Sequence, residues 1–310
     1  MSGNATVLYD HPGPRAKARN LVLSVLFGIL LVLGVWWVVD TLIDKQQLTA
    51  AKWSPIVDWQ NWETYLLPGL WNTLKAAFLA LIIALPLGAL FGIARLSDHA
   101  WVRWPSGIIV EFFRAVPVLI LMLFAFQFWF LVTGVSSPLA GVVIGLVLYN
   151  GSVLAEVFRA GILALPKGQT EAAQAIGLSK SQTMLSVLLP QAVTSMLPAV
   201  VSQLVVIVKD TALGGLLIGY VELRRTANTM GSFYGNLLAT YTVVAVIFIL
   251  VNLALSWGAG ALERTLRNRR GGRTATVLLS GLEGPMAGGA RNAAVLPDPN
   301  APGMEPEQRR

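Results

Sequence analysis

Cysteine is absent and histidine occurs only as His11 and His99 in a chain of 310 residues. Disulfides, thiol chemistry and thiolate metal sites are thereby excluded, and two isolated imidazoles make no metal or acid-base centre. Charge is scarce: 13% of the residues are Asp, Glu, Lys or Arg, about half the share of an ordinary soluble domain. No G-x-x-x-x-G-K-[ST] loop occurs, so the chain has no nucleotide site of that type. Acidic residues and histidines do not gather at catalytic spacing, which argues against an integral membrane enzyme. No catalytic residue, bound cofactor or metal ligand is predicted on this chain.

What fills the chain is apolar: 55% of the residues. A bilayer core of about 30 Å is crossed by about 20 mostly apolar helical residues, and runs of that kind lie at 21–39, 66–94, where Lys75 is the one charge, 181–208 and within 237–261. The uncharged stretch 115–155 is long enough for two more, divided by the turn-forming Gly-Val-Ser-Ser-Pro at 134–138. The reading is an all-α integral membrane protein with six transmembrane helices. The first run is too long, and too rich in tryptophan at its end, for a cleaved leader. Trp53, Trp59 and Trp62 favour the membrane–water boundary, so the polar stretch after that run lies along the outer surface. Beyond Arg273 the Gly, Ala, Pro and Asn content predicts a tail without order.

Lysine and arginine orient the spans. With the N-terminus inside, and counting as far as Arg273, cytoplasmic segments hold fourteen of them and outer segments six, Lys45, Lys52, Lys75, Lys209, Arg224 and Arg225. Both ends are then cytoplasmic. Arg224 and Arg225 run against the rule, which makes the path between the fifth and sixth spans the weakest part of this topology. The formal charge of +7 is spread over the connections rather than gathered on one module, so it answers to membrane orientation and not to nucleic acid.

The polar connection 166–190, PKGQTEAAQAIGLSKSQTMLSVLLP, is built like two helices and a corner. Pro166 suits a first turn, Gly177 suits a left-handed terminus, and Ser179 with Gln182 makes a capping box for the next helix. On the first helix Ala172, Ala173, Ala175 and Ile176 make a smooth surface beside Glu171. Helix propensity alone would also explain the alanines.

The pattern Glu171-Ala172-Ala173, Gly177, Val187, Leu189-Pro190 resembles the EAA loop of ABC-importer permeases, with Val in place of the family's Ile. The resemblance extends over about 200 residues, through "LPGLWNTLKAA", "VEFFRAVPVLI", "YNGSVLAEVFRAGILALPKGQ" and "LVVIVKDTAL", to the polar amino-acid permeases of the histidine, glutamate, glutamine and arginine branch. "ATVLYDHPGPR" and "QLTAAKWSP" are further similar to the second permease subunit of actinobacterial glutamate-uptake systems. The resemblance implies a five-helix permease core plus an extra N-terminal helix. It divides the chain into a cytoplasmic segment 1–20, the added helix 21–43, an external linker 44–65, the permease domain 66–262 and a cytoplasmic tail 263–310. It implies that Glu171, Ala172, Ala173, Gly177 and Leu178 form a coupling helix on a cytoplasmic ATPase dimer, where ATP and Mg are bound. A second permease subunit, an extracellular amino-acid-binding protein, an amino-acid substrate such as glutamate and membrane lipid are the other partners it implies.

Three further sets stand out. Glu111 with Arg114, and Glu156 with Arg159, are spaced to pair on one helix face, as anchors of helix ends or as part of a gate. Lys209, Asp210 and Thr211 follow a long uncharged run, and ionisable groups there face a partner or a water-filled path. They read either as a substrate path, complementary to a zwitterion, or as an internal pair holding a break in the fifth span. Gly88 and Gly92 permit close helix packing. The competing function is an ion-coupled carrier acting alone, which calls for an inverted repeat with paired broken helices; the sequence offers only the short Glu-x-x-Arg echo.

Overall fold

A computed structural model describes residues 13–282, and the described secondary structure is helical throughout. In chain order the helices are α1 (Pro14–Asp44), α2 (Ala50–Val57), α3 (Trp59–Ala94), α4 (Ala100–Ala115), α5 (Val118–Thr133), α6 (Pro138–Leu163), α7 (Lys167–Ala175), α8 (Lys180–Leu217), α9 (Leu223–Phe233) and α10 (Leu237–Leu282). Five of them, α1, α3, α6, α8 and the Leu237–Ala261 part of α10, are long and apolar enough to cross a membrane. The pair α4 and α5 passes the same test only when taken together and is bent by 106°, so the spans number five, or six if the bent pair is one span. The bend has a local cause: Pro117 excludes a helical conformation at the residue before it, and Val116 is extended at ψ 130°.

Proline is absorbed differently in α3 and α8. Pro68 and Pro190 lack an N–H and crowd the carbonyl four residues back. In both helices that carbonyl, of Thr64 or Ser186, lies in a widened π turn, at Trp62–Leu66 and Thr183–Leu188 respectively. Widening the turn keeps each helix continuous through its proline. The second span consequently starts at Trp59, several residues before the apolar run near Leu66. Most of the expected external linker is helix: α2, and the first turns of α3, where Trp62 donates to the Ile56 carbonyl at 2.7 Å.

The chain divides into two units, Met1–Trp257 and Gly258–Arg310. In the second, residues 258–282 are helical. These residues include 263–282, the first part of the expected C-terminal tail. Residues 1–12 of the expected N-terminal segment and 283–310 of the expected tail lie outside the described residues.

Packing in the first unit centres on α3 against α6. Lipid tails are as apolar as leucine, so helices associate through close packing of small residues. Ala76, Ala77, Ala80 and Ala84 on α3 are fully buried. A Cβ on Gly88 would stand 2.6 Å from the Cβ of Leu154, and one on Gly92 would stand 2.7 Å from the Ala155 carbonyl oxygen. On the other side of α6, Gly145 lets α5 approach, with Met122 at 2.6 Å from the position a Cβ would take. α8 closes the core through a bond between the Gln203 amide and the buried Asn150 side chain. α1 buries none of its residues within the chain.

Candidate functional site

The connection between α6 and α8 is a tight corner. α7 ends in a Schellman arrangement: Gly177 has φ +82°, Leu178 N donates to the Ala173 carbonyl at 3.1 Å, and Gly177 N to the Gln174 carbonyl at 2.9 Å. Two residues on, the Ser179 side chain accepts from Gln182 N and the Gln182 side chain accepts from Ser179 N, the reciprocal capping box. Gln169 and Gln191 tie α7 back to α8 at 3.2 Å.

The exposed face of α7 differs from the expected one. Ala173 is buried against the π turn of α8, because its small side chain is what lets α7 lie flat on that turn. Glu171, Ala172 and Ala175 remain exposed, Ile176 is 78% exposed, and Leu178 is half-buried. An isoleucine this exposed, on a helix otherwise small and polar, offers an apolar contact to another molecule.

Beside the corner lies a charge network. Both Glu-x-x-Arg pairs form: Arg114 Nη1 is 3.3 Å from Glu111 Oε1, and Arg159 Nη2 is 2.6 Å from Glu156 Oε1. Arg95, just past the end of α3, joins them by donating to Glu111 at 3.0 Å and to Glu156 at 2.7 Å. Local spacing could not reveal this hub, since its partners lie 16 and 61 residues along the chain. Lys180, opening α8, pairs with Asp98 in the connection after α3, and the ammonium holds that carboxyl below its ordinary range. The pair clips the corner to the loop that carries the network.

The expected break in the fifth span at Lys209 is absent: α8 runs unbroken through Lys209, Asp210 and Thr211 to Leu217. Adjacent residues on a helix point about 100° apart, and among the described residues Lys209 and Asp210 form no ion pair with each other. Lys209 is exposed, Asp210 is half-buried, and Thr211 is buried with its hydroxyl donated to the Val208 carbonyl at 2.7 Å. Lys209 ends a line of exposed residues on one face of α8, Ser195, Ala199, Ser202, Val206 and Lys209. This stripe, spaced by fours and threes, was open to sequence reading and went unread.

The chain turns back only after Leu217, and there Arg224 and Arg225 find their use. Arg224 Nε donates to the Ala212 carbonyl at 3.2 Å and Arg225 Nη1 to the Gly215 carbonyl at 3.1 Å. The Gly215 carbonyl is one that the end of α8 leaves without a helical partner, and the Ala212 carbonyl lies one turn before it. Glu222 is fully buried between them, capping α9 by accepting from Arg224 N at 2.6 Å and Arg225 N at 2.9 Å. Burial outweighs those bonds and pushes its carboxyl up to about 7. Two basic residues on the wrong side of a charge count are thus structural ligands of a helix end.

Among the described residues no cluster of three or more His, Asp or Glu could hold a metal. The sequence profile described as "Binding-protein-dependent transport system inner membrane component" matches residues 84–268. The chain is 49% identical to the glutamate transport system permease protein GluD of Corynebacterium glutamicum, over 72% of this chain and 83% of that one. It is 33% identical to the glutamate/glutamine/aspartate/asparagine transport system permease protein BztC of Rhodobacter capsulatus, over 81% of this chain and 59% of that one. Among solved structures, an amino acid ABC transporter with histidines superposes with a TM-score of 0.59 at 28% identity, covering 64% of this chain and 92% of that chain.

Proposed function

The chain belongs to the binding-protein-dependent transport system inner membrane components, and from that premise we propose that it forms half of the path of an ATP-driven importer for glutamate or a closely related polar amino acid. Glutamate is proposed because the relative that is 49% identical carries glutamate transport in its name. The observation that carries the coupling is the corner at α7: a short helix held rigidly by the Schellman turn, the capping box and the Lys180–Asp98 clip, presenting Ile176 and Glu171 outward. A partner pushing on α7 moves α8 with it, since the residues between them are tied by the Schellman bonds and the capping box.

In this reading Glu171, Ala172, Gly177 and Leu178 belong to the surface that meets a cytoplasmic ATPase, with Ala173 setting the seat of the helix. Both termini are cytoplasmic, and ATP and Mg sit on the partner. The stripe ending at Lys209 faces the path between this chain and a second permease subunit, probed from outside by an amino-acid-binding protein. An exposed ammonium in a span, with no salt bridge among the described residues, calls for such a polar counterface. Glu111, Arg114, Glu156 and Arg159 brace the border of the membrane beside the corner.

Co-expression with the ATPase and second permease tests the coupling. Ile176→Asp and Glu171→Lys are expected to lower ATPase co-purification at least tenfold while this chain still reaches the membrane. Uptake of glutamate by this chain alone, driven by an ion gradient, overturns the reading.

A further inference from the structure

The end of the bundle that carries the corner also carries a cavity that transport leaves without a role. Its volume is about 650 Å³, and its walls combine Arg95, Arg103, Glu111 and Arg159 with the apolar Trp104, Ile108 and Phe112. The charges around it do not balance. Arg95, Arg114 and Arg159 share the two carboxylates of Glu111 and Glu156. Arg103 donates through Nη1 to the Ser97 and Asp98 carbonyls, at 3.0 and 3.4 Å, and forms no salt bridge among the described residues, although the Asp98 carboxylate is near enough to feel its charge. The Asp98 carboxylate is already taken by Lys180. Around the cavity four guanidiniums and Lys180 stand against the carboxylates of Glu111, Glu156 and Asp98, an excess of two positive charges, and Nε and Nη2 of Arg103 make no bond among the described residues.

The apolar wall is placed for a bilayer. Trp101, Trp104, Ile108 and Phe112 recur at helical spacing along one face of α4, exposed by 76%, 67%, 64% and 59%. The 106° bend sets α4 across the direction of α5, as a helix lying in the membrane boundary would be, with its tryptophans at headgroup depth. A free phosphate would use the guanidiniums and have no use for this stripe. An anionic phospholipid uses both.

We propose that the cavity is a binding site for an anionic phospholipid, its phosphodiester on Arg103 and the neighbouring guanidiniums and its acyl chains along Trp104, Ile108 and Phe112. Basic pockets between membrane helices suit such headgroups, and one arginine near the surface contributes about fivefold in affinity.

The test uses the full chain, delipidated in detergent and titrated with phosphatidylglycerol or phosphatidylcholine, with bound lipid counted by native mass spectrometry. Phosphatidylglycerol is expected to bind at least fivefold tighter than phosphatidylcholine. Arg103→Gln is expected to weaken it about fivefold, while Arg103→Lys keeps most of the binding and Lys167→Gln, outside the cavity, changes nothing. Equal retention of the two lipids, an equal loss in Lys167→Gln, or displacement by equimolar inorganic phosphate overturns the proposal. So does protection of the Gly107→Cys thiol, at a wall position with open space around its Cβ, in lipid-free protein, because a second copy would then cover the cavity. Should Arg103→Gln not purify, the ratio of the two lipids on the unaltered chain decides.

Discussion

Gly177 and Ser179 hold the corner by separate means, a left-handed backbone and a side-chain cap, and each can be removed alone. A Cβ at φ +82° costs about 1–2 kcal/mol, and loss of the Ser179 cap costs about 1 kcal/mol. Gly177→Ala and Ser179→Ala are therefore expected to speed amide exchange over residues 167–182 while leaving exchange in α3 and α6 unchanged. Both signals were legible in the sequence, because caps and left-handed turns act through neighbours in the chain. Glu222 was not, because its burial comes from the chain turning back after Leu217 and setting it against Gly215 at the end of α8. Its carboxyl keeps a proton up to about pH 7 when folded, against 4.5 ordinarily. Between those values the folded state binds more protons than the unfolded, so stability falls as pH rises toward 7 and levels off above it. Glu222→Gln is expected to flatten that dependence in thermal melts taken from pH 5 to 8.

At the scale of elements, the contact of α3 with α6 is set by two glycines whose absent side chains let backbones touch. Gly88→Leu meets Leu154 and the Gly151 carbonyl and is expected to cost about 1–3 kcal/mol or more, seen as loss of a monodisperse peak in size-exclusion chromatography. Gly107→Leu, where nothing lies within 4 Å, is the control. Arg225→Gln removes the ligand of the Gly215 carbonyl and leaves Glu222 with less positive charge beside it; a loss of about 1–3 kcal/mol is expected in chemical denaturation. The small-residue spacing announced the first contact in the sequence. Nothing local announced the second, and a charge count misread it, because such counts assume that arginines stand in water.

For the whole molecule, the line of Ser195, Ser202 and Lys209 on α8 decides whether this chain is half of a path. Lys209→Gln and Asp210→Asn are each expected to lower amino-acid uptake at least tenfold while co-purification with the ATPase stays unchanged; normal uptake by both removes them from the path. The membrane class, the spans, the capped corner and the family resemblance were determined by the sequence alone, since hydropathy, caps and short motifs depend on residues close along the chain. The tertiary structure decided that Arg95 joins Glu111 to Glu156, that Ala173 faces inward, that α8 is unbroken at Lys209, and that Arg224 and Arg225 close a helix end. Each of those depends on which distant segments share a face, and that follows only once the helices have packed.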